Sequence, residues 1–221
     1  MSVKIGIVCE GISDFRVLKH ITERYLRDED VYTIPLKPKV TPLGKQDGFG
    51  GWQGVLEYIE GNDRMIVEAI EEGCSYVIIH IDTDVRESYG IDNKYENDKD
   101  LHNDVVSMLT EKVNKDFDKD KLIFAVAINE TECWLIPFLT SNAKECSRTD
   151  SCVASINRQL KGAGFIDKDN KNADKAKSTY DKILKLKRKA KDFKEISNYN
   201  YGFSYFISSL DKIKEEIMLE S

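Results

Sequence analysis

The run Tyr76-Val77-Ile78-Ile79-His80-Ile81-Asp82-Thr83-Asp84 places an apolar segment directly before two carboxylates spaced i, i+2. In an extended chain, side chains two positions apart fall on the same side. Two further apolar runs end in acidic residues: Ile5-Gly6-Ile7-Val8-Cys9-Glu10-Gly11 and Phe124-Ala125-Val126-Ala127-Ile128-Asn129-Glu130-Thr131-Glu132. Open α/β sheets bind their ligands at the carboxyl ends of the strands. Carboxylates gathered there repel one another, and a divalent cation relieves the repulsion. Hard ions such as Mg²⁺ and Mn²⁺ take oxygen ligands, and two of them about 4 Å apart can activate water and stabilise the leaving oxygen of a phosphodiester. The residues that could supply such a metal site are Glu10, Asp14, Asp82, Asp84, Glu130 and Glu132. A single acidic residue after a strand is more often a turn or a helix cap. Asp82-x-Asp84 alone also fits receiver domains, phosphatases and nucleotide binders. Three acidic strand ends in one chain point instead to one site assembled from distant segments.

The elements that must position these residues follow from hydrophobic pattern. Residues 3–9 read as a first strand, followed by a helix with Ser13 as N-cap, Asp14 in its first turn and Phe15, Leu18, Ile21, Tyr25 and Leu26 on its apolar face. Gly11 is expected to free the backbone for a tight strand-to-helix turn. A second strand lies within 31–40, where Pro35 and Pro38 make it an irregular or edge strand. Residues 44–54, rich in glycine around Phe49 and Trp52, read as a connection, with a flap beside the site as the second reading. A helix over 64–72, with an earlier start near Trp52 and a break at Gly61-Asn62, leads to the central strand 76–81, apolar on both faces as a buried parallel strand requires. Residues 85–98 read as loop, 100–114 as helix and 121–128 as the fourth strand. Alternation of strand and helix predicts an α/β fold with a mostly parallel sheet covered by helices on both sides. Beyond it, 133–139 reads as a short helix, and 152–160, 173–191 and 201–218 read as helices. The organisation is thus an α/β core over 1–140 and a helical extension over 141–221 packed on it. Asp167-x-Asp169 opens like a calcium loop but lacks the glycine and final glutamate, so 168–172 reads as a polar loop.

The chain has 221 residues and a net charge of −6, which does not announce a nucleic-acid binder. Its distribution does more. Residues 161–194 hold twelve Lys/Arg against five Asp, a surplus of seven, leaving −13 on the remainder. Lys182-Ile183-Leu184-Lys185-Leu186-Lys187-Arg188-Lys189 reads as a basic helix face, either solvated or tracking a phosphate backbone. Lys185, Lys187, Arg188 and Lys189 are the candidate nucleic-acid contacts. The five cysteines contain no C-x-x-C pair, and the expectation is buried, reduced thiols. His20, His80 and His102 show no zinc-ligand spacing. Neither a signal peptide nor a run of about 20 apolar residues occurs, so a cytoplasmic location is expected.

Glu10-Gly11-Ile12-Ser13-Asp14 after a first strand resembles the Toprim motif, and Asp82-Thr83-Asp84 resembles its D-x-D motif. Toprim domains occur in topoisomerases, primases and the overcoming-lysogenization-defect (OLD) nucleases. The resemblance covers residues 3–135. Asn129-Glu130-Thr131-Glu132-Cys133-Trp134-Leu135 is similar to the E-x-E-x-W-L stretch of small bacterial Toprim-related proteins often encoded beside ATPases, and Ser178-Thr179-Tyr180-Asp181-Lys182-Ile183-Leu184 resembles their C-terminal helix. The resemblance implies a Toprim-like fold and Mg²⁺ or Mn²⁺ as cofactor. Glu10 would be metal ligand or general base, Asp14, Asp82 and Asp84 metal ligands, and Glu130 or Glu132 would complete a second metal position. OLD-type nucleases also use a lysine after the core, for which Lys182 and Lys185 are the candidates. The implied activity is nuclease cleavage of DNA or RNA, as an effector in anti-phage defence controlled by a separately encoded ATPase. No G-x-x-x-x-G-K-[ST] motif occurs, so any nucleotide-driven motor is expected on another chain. The competing expectation is a non-catalytic, metal-binding regulatory subunit of an ATPase-containing complex.

Overall fold

A computed structural model describes residues 2–27, 30–41, 46–47, 50–60, 64–92, 94–113, 117–171, 174–187 and 189–220. Strand β1 (Val3–Val8) runs into helix α1 (Ile12–Tyr25), and β2 (Val31–Lys37) returns beside β1. The short strands β3 (Lys39–Val40) and β4 (Gln46–Asp47) pair antiparallel as a separate ribbon. Helices α2 (Gly51–Glu60) and α3 (Arg64–Glu71) lead to β5 (Tyr76–Asp82), and α4 (Asp98–Lys112) leads to β6 (Leu122–Ala127). The rest is helical: α5 (Ile136–Leu139), α6 (Ala143–Cys146), α7 (Cys152–Leu160), α8 (Asp174–Leu184), α9 (Ala190–Ser197) and α10 (Tyr201–Glu220).

The four longer strands form one all-parallel sheet in the order β2-β1-β5-β6. The chain steps from β1 outward to β2, then returns to β1's other side with β5. Strand order therefore reverses between β1 and β5, which is where open α/β sheets hold their ligands. Burial along the strands has the period of two that a pleat demands. Ile5, Ile7, Ile78, Ile123, Ala125 and Ala127 face one layer with α1 and the C-terminal helices. Val8, Val77, Ile79, Ile81, Phe124 and Val126 face the other with α2 and α4. Proline cannot donate to a ladder, and β2 is an outer strand whose Pro35 lies opposite Ile7, next to a register shift.

The C-terminal helices share their core with the sheet rather than forming one of their own: Ile156, Tyr180, Phe193, Phe206 and Leu210 pack in the same layer as Ile7 and Leu18. Trp134 is fully buried at the centre, stacked on Phe203 (5.0 Å between ring centroids) and edge-on to His80 (6.1 Å). Helix α10 lies along β6, the other outer strand. A Cβ at Gly202 would stand 2.0 Å from the Val126 carbonyl oxygen, so glycine is what lets the helix close over that edge.

Several sequence expectations are corrected. The N-cap of α1 is Gly11, in ordinary extended conformation (φ −148°), and Ser13 lies inside the helix. The helix read near Trp52 begins at Gly51, within the stretch read as connection, and is separate from α3. Within the same stretch Gln46–Asp47 form β4, while residues 44, 45, 48 and 49, and Gly61-Asn62 where the break was expected, lie outside the described residues. The helix read over 173–191 is two, since α8 ends at Leu184 and α9 starts at Ala190. Lys185-Leu186-Lys187 is therefore part of a connection rather than a helix face. No described helix is long and apolar enough to cross a membrane.

Candidate functional site

Glu10 and Asp82 leave adjacent strands on the two sides of the reversal, and they are joined directly. The Asp82 backbone N–H donates to Glu10 Oε1 at 2.7 Å. Asp82 follows His80 and Ile78 on one face of β5, so its side chain turns toward the Trp134 layer. There its Oδ1 accepts from both the N–H (3.0 Å) and the hydroxyl (2.7 Å) of Thr131. His80 Nε2 lies 2.8 Å from the same hydroxyl oxygen. With Thr131 donating to Asp82, the imidazole must donate through Nε2–H. Burial, reinforced by the charge of Lys171, lowers the His80 pKa to about 3, so the ring is neutral. The ends of β5 and β6 are laced together just beyond, where the Asn129 carbonyl accepts the N–H groups of Thr83 and Asp84 at 3.0 Å each. Asn129 adopts the left-handed conformation (φ 59°) that such a reversal needs and that asparagine tolerates.

Asp14, from the first turn of α1, is 5% exposed and Asp82 is 8% exposed. Burial first, then repulsion from Glu132, pushes the Asp14 carboxyl up to about 7, against the opposing charge of Lys171 and hydrogen bonds from Gly11 and Ser13. Burial, then repulsion from Asp14 and Asp84, pushes Glu10 to about 8. Burial, then Asp14, Glu10 and Glu132, holds Asp82 well above the usual carboxylate range. Each of these groups feels the others, so β1, α1, β5 and the β6 terminus do converge on one acidic centre. Asp84 is exposed at its rim.

Glu130 and Glu132 are engaged by protein donors. Glu130 Oε1 accepts from the N–H groups of Cys152 (3.0 Å) and Val153 (3.3 Å), capping α7. Ser151 at that N-cap gives no side-chain bond, and a carboxylate suits the positive end of a helix. Glu132, 1% exposed, accepts at Oε1 from the buried hydroxyl of Tyr180 and at Oε2 from Lys171 Nζ at 2.6 Å. Lys171 Nζ also stands 3.6 Å from Glu130 Oε2. Burial alone would lower the Lys171 pKa, but Glu132, Asp82 and Asp14 outweigh it and raise the value above the ordinary lysine range, so the ammonium is charged.

The lysine at this centre is thus Lys171, not the sequence candidates. Lys182 is exposed and donates to the Ala163 carbonyl (3.1 Å). Lys185 lies with Arg16, Lys19, His20 and Arg24 around a cavity of about 390 Å³ between α1 and α8, where Glu23 and Asp181 balance part of the charge. Lys187 is half-buried between α5 and α9, its carbonyl 3.0 Å from His20 Nε2. Lys189 is exposed at the start of α9, and Arg188 lies outside the described residues. The Asp167-x-Asp169 pair is a local turn in which Asp167 Oδ1 accepts the Asp169 N–H.

Cys133 and Cys152, expected as thiols, are joined in a disulfide with Cα atoms 5.0 Å apart, which ties residues 131–135 to the start of α7. Cys9, Cys74 and Cys146 are free and buried. Among the described residues, the His/Cys/Asp/Glu group whose ligand atoms all lie within 4.8 Å of one another is Glu130, Cys133 and Cys152. With both sulfurs in the disulfide and one Glu130 oxygen on α7, that group offers no thiolate to a metal. The carboxylates of the acidic centre offer oxygen donors, with the neutral His80 imidazole 3.5 Å from Asp82 Oδ1. Glu10 and Asp82 each keep one oxygen beyond the hydrogen bonds described, and the repulsion that lifts their pKa values is what a hard divalent cation would relieve. By donor type these carboxylates suit Mg²⁺ or Mn²⁺, although no three of their oxygens lie within 4.8 Å of one another in this structure.

The chain matches no protein-family model, no curated protein and no solved structure.

Proposed function

We propose that this chain is a Toprim-like, metal-dependent nuclease that hydrolyses phosphodiester bonds of DNA or RNA. The observation that carries the reading is geometric: at the strand-order reversal the half-buried Glu10 accepts the Asp82 N–H at 2.7 Å, and Asp14 and Asp82 are buried carboxylates with raised pKa values. Glu10, Asp14, Asp82 and Asp84 would hold Mg²⁺ or Mn²⁺, which would supply Lewis acidity toward water and the leaving oxygen. The chain's own residues do the rest. Thr131 and His80 fix the direction of Asp82, and the Asp82 N–H fixes Glu10. Glu132 and Tyr180 hold Lys171, whose ammonium is placed to meet negative charge developing on the phosphate. Action in anti-phage defence under a separately encoded ATPase accords with the small Toprim-related proteins that the chain resembles.

One observation favours a second reading, a non-catalytic metal-binding subunit. Both oxygens of Glu132 and one of Glu130 are engaged by protein donors, which leaves fewer free ligands for a second ion than the sequence alone offers. The experiment is incubation of supercoiled plasmid, single-stranded DNA and RNA with the protein and Mg²⁺ or Mn²⁺, beside Asp82→Asn. Metal-dependent cutting by the wild type and not by the variant is expected. Calorimetric metal binding without cutting of any substrate would favour the subunit instead.

A further inference from the structure

Glu130 and Glu132, just beyond the end of β6, bring four carboxylate oxygens, and the chain's own groups meet every one of them. Glu130 Oε1 accepts from the N–H groups of Cys152 (3.0 Å) and Val153 (3.3 Å) at the start of α7. Glu132 Oε1 accepts from the Tyr180 hydroxyl, and Glu132 Oε2 accepts from Lys171 Nζ at 2.6 Å. The fourth oxygen, Glu130 Oε2, lies 3.6 Å from the same Nζ. The ammonium therefore stands between the two glutamates, where an ion bridging them would sit. Both glutamates are buried, so neither turns to water for other partners. The charge is met as well as the oxygens. Two carboxylates bring a charge of −2, the ammonium returns +1, and the N-terminus of α7 adds roughly half a positive charge. Little is left to attract a second divalent ion. The charge of Lys171 also acts on Glu10, Asp14 and Asp82 across the centre, so it serves the whole site as a built-in cation.

We infer that the Lys171 ammonium holds the second cation position of the acidic centre, so that the site takes one divalent ion, on Glu10, Asp14, Asp82 and Asp84, instead of two. The inference rests on the metal-binding part of the nuclease reading and departs from the two-ion arrangement that the sequence pattern suggests. An ammonium has three donors, so Lys171 can keep Glu132 and still meet charge on a phosphate oxygen. What excludes the second ion is the positive charge, not the number of donors around the glutamates. Loss of the Tyr180 hydroxyl would free one oxygen of Glu132 and leave the ammonium in place. Loss of the ammonium would release Oε2 of both glutamates and leave their charge facing an empty position, which a divalent ion with oxygen ligands would fill.

The test counts bound Mn²⁺ by calorimetry and reads its electron paramagnetic resonance at pH 8, with no nucleic acid present, so that binding is read apart from cleavage. Wild type is expected to take one ion per chain and to show the resolved hyperfine lines of an isolated Mn²⁺. Lys171→Ala and Lys171→Met, shown to be folded by circular dichroism, are expected to take two, and a pair about 4 Å apart should broaden those lines through spin coupling. Lys171→Arg keeps the charge and should stay at one ion. Tyr180→Phe should stay at one as well, since it frees an oxygen of Glu132 without removing the ammonium. Adding Glu132→Gln to Lys171→Ala should return the count to one. Two ions in the wild type, none in the wild type, or one ion in both folded Lys171→Ala and Lys171→Met would overturn the inference, and the wild-type count decides even where the variants fail to fold. One ion in the wild type and two in the lysine variants, with no cleavage by any of them, would leave the inference standing and remove the nuclease.

Discussion

Replacing Lys171 with methionine keeps the volume of the side chain and removes the ammonium that Glu132 and Glu130 share. Glu132 cannot turn to water: it is 1% exposed and its other oxygen is held by Tyr180. Leaving one partner of a buried pair uncompensated costs about 3–5 kcal/mol. Lys171 is itself 22% exposed, so water replaces part of what is lost, which places the cost near the lower bound, about 3 kcal/mol. For a chain of this size that lowers the melting temperature by roughly 6–12 °C. The cluster also has a way to limit the damage. Asp14 and Glu10 already titrate at about 7 and about 8 with the ammonium beside them. Without it their proton affinity rises further, and the variant neutralises itself by taking up a proton. The loss should therefore be small at pH 6 and full at pH 9. The assay is thermal unfolding by circular dichroism in EDTA at both pH values, with Glu132→Gln and the double variant completing a cycle. Near-additive losses in the cycle, or an equal loss at pH 6 and pH 9, would show that Lys171 does not hold the acidic centre together.

The metal-free wild type should behave in the same sense. Glu10 and Asp14 have folded pKa values raised above their unfolded ones, so the folded state holds more protons between about pH 4 and 8 and stability falls as pH rises through that window. Added Mg²⁺ should raise the melting temperature more at pH 8 than at pH 5.5, and an equal rise at both would count against carboxylate ligation. Asp14→Asn removes a buried charge facing Glu132 and should raise the metal-free melting temperature at pH 8 while weakening Mn²⁺ binding by calorimetry; a lower melting temperature would mean that the bonds from Gly11 and Ser13 matter more than the repulsion.

The α/β core was legible because its signals are local. Val77 through Ile81 are buried on both sides, as an unbroken apolar run bounded by carboxylates requires. The edge position of β2 followed from Pro35, which cannot donate to a neighbour. Glu10, Asp14 and Asp82 were legible as a set because strand ends are the one place where a parallel sheet brings distant residues together. What failed was also physical. The break between α8 and α9 has no proline or glycine to announce it, only the sequence Leu184-Lys185-Leu186-Lys187, whose alternation suits neither helix face. The disulfide joins cysteines 19 residues apart without a recognisable spacing.

Lys171 was invisible for a reason that applies to the whole basic segment. In α8 the residues Ala176, Thr179, Tyr180, Ile183 and Leu184 take the buried face. Helix periodicity then sends Lys182 outward, and Lys185, just past the helix end, is exposed as well. A helical lysine in this segment is solvated because the same helix is amphipathic. A lysine can enter the acidic centre from the connection before α8, where no periodicity ties its direction to an apolar stripe. Lys171 sits in that connection, 39 residues from Glu132 in sequence and 2.6 Å from it in space. The lysine of 161–194 that reaches the acidic centre thus comes from a loop and not from a helix face, and the helix that follows contributes Tyr180, whose buried hydroxyl donates to the other oxygen of Glu132.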